Sequence, residues 1–133
     1  MILLDTHVLV WLDQGAGELG VSAREQADRA LQNDALVVSA ISFWEIAMLG
    51  SKGRLGVRRP LGPWRRGLIE LGVGELPLDG EIAVVAGEFD DMHGDPADRI
   101  IVATALRHGA RLMTADRKLL SWPGPIERID ARS

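Results

Sequence analysis

The chain contains no cysteine. That excludes a disulfide framework and any thiolate zinc site, and it suits a reducing compartment such as the cytoplasm. It also lacks a basic stretch ahead of its first apolar run. Met1-Ile2-Leu3-Leu4 is followed at once by the charge of Asp5, so the opening does not read as a signal peptide. No apolar run is long enough to cross a bilayer, and a membrane is not expected as a partner. There are no internal repeats and no low-complexity tail. Positive charge is in deficit, with a formal net charge of −4, so bulk attraction cannot drive binding to nucleic acid. Acids in turn are missing from Ile46 to Ile69, where Lys52, Arg54, Arg58, Arg59, Arg65 and Arg66 accumulate. This strip reads either as a solvated face or as a contact surface for phosphate or for a partner.

What remains is ordinary for a globular protein, with 47% hydrophobic and 26% charged residues. At 133 residues it is expected to form a single domain, residues 1–133, able to bury most of its apolar surface. Ile2 to Leu4 reads as a buried strand and Val8 to Leu12 as the start of a short helix broken at Gly15. Ser22-Ala23-Arg24-Glu25 has capping-box spacing and predicts a helix to about Asn33, with Ala23, Ala27, Ala30 and Leu31 inward. Leu36 to Ser39 is a second buried strand. Ser42-Phe43-Trp44-Glu45 repeats the capping-box spacing within a helical stretch from Ile41 to Leu49. Glu45 is the only charge in that stretch, and a carboxylate so placed needs a partner. Gly50 to Pro63 is a connection rich in glycine and proline.

Trp64, Leu68 and Leu71 share a helical face ended by Gly72. Glu75 to Leu78 is a third strand, marked as an edge by Pro77. Asp79 caps a helix with Ile82, Ala83, Ala86 and Phe89 inward. The strongest local signal runs from Asp95 to Gly109. Asp95 suits an N-cap, Pro96 the first helical position, Asp98 the third, and Gly109 a left-handed stop behind Arg107 and His108. Ala110 to Thr114 is a fourth strand, Pro123-Gly124-Pro125 a turn, and Ile126 to Ile129 a last short strand. Strands alternating with helices imply an α/β fold, a mainly parallel sheet covered on both faces.

Ligands in such sheets bind beyond the carboxyl ends of the strands, where strand order reverses. Asp5 and Asp116 follow the first and fourth strands, Glu45 lies one turn into the helix after the second, and Asp98 opens the helix before the fourth. Singly, each has a capping or turn role available. Together they would share one edge of the sheet. Two carboxylates about 4 Å apart repel by roughly 4 kcal/mol at an effective dielectric of about 20. Such a cluster needs protons or a cation, and oxygen ligands alone suit Mg²⁺ or Mn²⁺. Hydrolysis of a phosphodiester is the reaction class this chemistry suggests.

Leu4-Asp5-Thr6-His7, Trp44-Glu45-Ile46-Ala47, Asp95-Pro96-Ala97-Asp98-Arg99 with the Ile-Ile-Val-Ala-Thr-Ala that follows, and Thr114-Ala115-Asp116 resemble the PIN-domain nucleases. Within these the chain is most similar to the VapC toxins of bacterial VapBC toxin–antitoxin modules. The likeness runs over essentially the whole chain. It implies a three-layer α/β/α sandwich with sheet order 3-2-1-4-5, Mg²⁺- or Mn²⁺-dependent cleavage of RNA, a VapB-type antitoxin partner and a homodimer. Position by position, Asp5, Glu45, Asp98 and Asp116 match the family's acidic quartet. Asp5 and Asp98 are then expected to ligate metal directly, while Glu45 and Asp116 act through water. Asp95 reads first as the N-cap of its helix, with a fifth acid of the pocket as the alternative, and Thr6 and Thr114 read either as holding carboxylates or waters from behind or as plain turn and strand residues.

His7, His93 and His108 read as turn or cap residues. Arg99 reads as an ion-pair partner of a neighbouring acid or as a phosphate anchor, and Trp11, Trp44, Trp64 and Trp122 as packing or interface residues. Two other functions fit the acids: a receiver-like signalling module around Mg²⁺, and a protein that binds through the basic strip without turnover.

Overall fold

The computed structural model describes residues 1–53, 56–92 and 94–133. Arg54 of the basic strip and His93 lie outside the described residues. In chain order the elements are β1 (Ile2–Leu4), α1 (Thr6–Gln14), α2 (Val21–Gln32), β2 (Leu36–Ser39), α3 (Ala40–Ser51), α4 (Leu61–Glu70), β3 (Gly74–Leu76), α5 (Gly80–Glu88), α6 (Pro96–His108), β4 (Arg111–Thr114), α7 (Arg117–Leu120) and β5 (Arg128–Asp130). The five strands form one sheet in the order β3-β2-β1-β4-β5, and every pairing is parallel. The receiver-like alternative ends here, since receivers order their strands 2-1-3-4-5.

Alternation along the central strand divides the core in two. Ile2 and Leu4 of β1 face Val8 and Leu9 of α1, the alanine stripe of α2, Ile46 of α3, and Trp64 and Leu68 of α4. Leu3, paired with Val37 and Leu112, faces Ile101, Val102 and Ala105 of α6 together with Leu119 and Trp122. Helix α5 lies outside α6 and packs against it through Ile82 and Ala86. Ala83 is exposed, contrary to expectation, because contact with a single helix uses only that i, i+4 ridge.

Helix α6 forms as its sequence dictates. Asp95 accepts from the amides of Ala97 (3.0 Å) and Asp98 (3.3 Å), Pro96 opens the first turn, and Gly109 ends it at φ +60°. The two capping boxes do not form. Helix α2 starts two residues earlier, at Val21 with Gly20 as its cap, and the amide of Ser22 finds the Ser133 carbonyl instead (3.2 Å). In α3 the cap is Ser39, whose hydroxyl accepts from Ile41, since β2 runs directly into the helix. Ser42 sits one turn further on, fully buried. Leu71 is 71% exposed rather than inward, because α4 stops at Glu70 and Leu71 caps its end. The last strand starts at Arg128, two residues late. The Arg128 guanidinium turns back to the carbonyls of Leu119, Trp122, Gly124 and Ile126 and closes the preceding turn.

Candidate active site

Asp5 leaves the end of β1 and caps α1. Its carboxylate accepts from the Thr6 amide (2.8 Å) and from the Thr114 hydroxyl (2.7 Å), and the residue is only 6% exposed. Thr114, the last residue of β4, also receives the Asp116 amide on its hydroxyl oxygen (3.0 Å). One buried hydroxyl therefore ties together the acids that follow neighbouring strands. Asp116 in turn caps α7 through the Lys118 amide (2.8 Å). Thr6 bonds its hydroxyl to that of Ser42 (2.9 Å), which locks the first turn of α1 to α3 and fixes where Glu45 emerges.

Asp5, Glu45, Asp98 and Asp116 line one cavity of about 300 Å³, and Asp95 joins them. The structure thus gathers every acid of the predicted quartet, with Thr6 and Thr114 behind them. Burial raises the Asp5 carboxyl above its ordinary range and the charge of Asp116 adds to this, while Thr114, the Thr6 amide and His7 oppose it. Burial raises Glu45 as well, reinforced by the charges of Asp5 and Asp95 and opposed by the Thr6 hydroxyl and His7. The acids sense one another. Their oxygens form the donor set a hard divalent cation takes. Among the described residues no three acid or imidazole groups already stand in a chelating arrangement. Chemistry and crowding fit a cation; convergence onto one is left for the ion to impose.

The cavity also contains His7, Trp11, Ala115 and Arg132, none of them expected there. His7 and Trp11 lie one helical turn apart on α1 and both follow Asp5, a spacing visible in the sequence. Arg132 has no such signal. It reaches the cavity only because β5 pairs beside β4.

The remaining candidates resolve into structural roles. Arg99 donates to the carbonyls of Ala86 (2.9 Å), Met92 (3.0 Å) and Phe89, holding the connection between α5 and α6. In the basic strip, Arg59 pairs with Asp13 (3.0 Å) and Arg65 forms a two-pronged pair with Glu75 (2.5 and 2.7 Å). The strip is thereby partly neutralised by acids from other elements. Trp64 packs edge-on against Phe43 and donates to Asp13, and Trp122 packs edge-on against Phe89 and donates to Asp91. Trp44 is 53% exposed.

A parallel sheet in the order 3-2-1-4-5, with acids gathered at the strand ends on either side of the reversal, defines the class. The chain matches the PIN domain over residues 2–123 and belongs to that family. It is 38% identical over 126 residues to Ribonuclease VapC22 of Mycobacterium tuberculosis, covering 93% of each chain. Its fold is similar to VapBC-1 from nontypeable Haemophilus influenzae, with TM-score 0.70, 22% identity and 100% of both chains covered. It is also similar to DNA-bound VapBC from Salmonella typhimurium, with TM-score 0.69, 20% identity, and 97% of this chain and 96% of that one covered.

Proposed function

We propose that this protein is a Mg²⁺- or Mn²⁺-dependent endoribonuclease and the toxic member of a toxin–antitoxin pair, restrained by a VapB-type antitoxin. The observation that carries the reading is the convergence of Asp5, Glu45, Asp98 and Asp116 on one cavity. The 38% identity to a relative named as a ribonuclease supports the substrate, and the VapBC titles of the structural neighbours support the partner.

Asp5 and Asp98 would hold the cation, Asp5 with its orientation set by Thr114 and Thr6. When bound, the cation supplies charge to orient the phosphodiester and stabilise the leaving oxygen. Without a cation, burial and the charges of Asp5 and Asp95 hold Glu45 above its ordinary range. Glu45 is suited to take the proton of the attacking water, with Asp116 orienting that water. A homodimer belongs to the same reading and is checked by light scattering.

The test is cleavage of RNA by purified protein with Mg²⁺ or Mn²⁺. Chelation by EDTA, Asp98→Asn and Glu45→Gln should each lower the rate by about 100-fold or more. Cleavage that survives all of them would remove the assigned site. Coexpression with a cognate VapB-type antitoxin should relieve growth arrest; arrest that persists in its presence argues against that partner.

A further inference from the structure

Among the described residues that line the acid cavity, Arg132 is the one lysine or arginine. A phosphodiester entering among Asp5, Glu45, Asp95, Asp98 and Asp116 meets repulsion from the carboxylates, and this guanidinium is placed to offset it. Its placement is unusually constrained. The tail that carries it is fastened on both flanks: the Ala131 amide donates to the Thr114 carbonyl (2.9 Å), and the Ala131 carbonyl accepts from Gly20 (2.9 Å). Beyond it, Ser133 accepts from the Ser22 amide (3.2 Å) and donates its own to Asp130 (3.1 Å). The Asp130 carboxylate receives the amide of Arg132 itself (2.9 Å). Gly20 has no side chain at the point of contact, where a Cβ would lie 2.3 Å from the Ser133 backbone.

The side chain is aimed as well. Arg132 donates one Nη1 bond to the Ala115 carbonyl (3.0 Å), between the acid-bearing ends of β4 and α7. Its guanidinium lies over the indole of Trp11, 5.5 Å from the ring centroid. Stacking and a single carbonyl bond orient the fork and leave most of its donors for a ligand. Among the described residues no carboxylate lies within ion-pair distance of it. A guanidinium serving only to neutralise the cluster would pair with one of its acids. This one is held off them.

We propose that Arg132, oriented by Trp11, is a substrate-binding residue that grips a backbone phosphate of RNA at the rim of the acid cavity and so places the neighbouring phosphodiester over the carboxylates. The inference rests on the nuclease reading. A planar fork on an indole suits two non-bridging phosphate oxygens, whereas lysine in its place would supply charge without orientation.

The experiment compares unaltered protein with Arg132→Gln, Arg132→Lys and Trp11→Leu. Cleavage kinetics of a short RNA are read alongside the salt dependence of RNA binding in the Asp98→Asn background. In Arg132→Gln, KM should rise about tenfold with kcat within about threefold, since a contact shared by ground and transition states is lost. The slope of log K against log salt should fall by about 0.7, the value for one phosphate contact on a single strand. Arg132→Lys should retain the slope and raise KM by less than Arg132→Gln does, and Trp11→Leu should raise KM without altering the slope. Melting temperatures of the Arg132 variants should match the unaltered protein. A KM and a slope both unchanged in Arg132→Gln overturn the assignment. If unaltered protein binds RNA without cutting it, the nuclease reading fails while the slope still decides Arg132. If it neither binds nor cuts, both readings fall.

Discussion

Thr114 is the residue on which the acid cluster turns. Its hydroxyl donates to Asp5 and accepts from the Asp116 amide, so both of its bonding directions are committed within the sheet. Replacing it with valine keeps shape and burial but leaves a carboxylate oxygen of Asp5 without that donor. The cost should be about 1–3 kcal/mol. Losing the hydroxyl also removes an influence that holds the Asp5 carboxyl down, so Asp5 stays protonated to higher pH. Thr114→Val should therefore move the acidic limb of the pH–rate profile upward, while Thr114→Ser restores it. A profile that stays in place would show that Asp5 does not have to ionise for activity. Asp5→Asn makes the complementary case. It removes the buried charge that Asp116 and Glu45 oppose, and without added metal it should raise the melting temperature by a few degrees while abolishing cleavage. Thermal melts and RNA cleavage on the same sample check both halves.

Among the elements, α6 and α2 show when a helix start is written locally and when it is not. Asp95, Pro96 and Gly109 carry their own instructions, and the helix appears where they place it. Asp95→Ala should cost about 1 kcal/mol through the two amides it leaves unbonded, read as a fall in the denaturation midpoint. An unchanged midpoint would mean that packing alone sets the end of α6. Helix α2 takes its first-turn acceptor from Ser133, at the other end of the described chain, so the Ser22 capping-box spacing misled. Gly20→Ala should prove more damaging than an ordinary helix-start substitution. Its Cβ would fall among backbone atoms of Arg132 and Ser133 that cannot rotate away, and the loss should be about 1–3 kcal/mol by urea melt. The same contrast explains which parts of the site were legible. Asp5 and Asp116 follow strand ends, Asp98 opens a helix and Glu45 is the lone charge of an apolar one; element order puts them on one edge of the sheet, and the family resemblance matched them as a quartet. Trp11 follows His7 by one helical turn and could be read from that spacing, whereas Arg132 depends on which strand lies beside β4 and on where the tail docks, which no local spacing encodes.

At the scale of the whole molecule, the proposed active site would set activity against stability, and pH should separate them. Asp5 and Glu45 both titrate above their ordinary range, chiefly because of burial. The folded chain thus holds these protons more tightly than the unfolded chain does. Their favourable contribution is fully present below the ordinary carboxylate range and is lost as pH rises through the raised values. Glu75, held below its ordinary range by Arg65, works the other way, and its contribution is lost as pH falls. That pair is part-exposed and screened by solvent, so the buried acids should dominate the neutral side. Without divalent metal, the melting temperature should decline as pH rises above the ordinary carboxylate range through the raised values, and Asp5→Asn should flatten the decline. On the proposed function, a divalent cation should bind the ionised form and reverse the trend. At about a hundred times its dissociation constant it adds about 2.7 kcal/mol, and it does so most where the acids are deprotonated. Scanning calorimetry across this range, with Mg²⁺ or Mn²⁺ and with EDTA, should give curves that diverge as pH rises. Parallel curves would mean that metal and acid cluster are not linked, and the cavity would lose its assignment as the metal site.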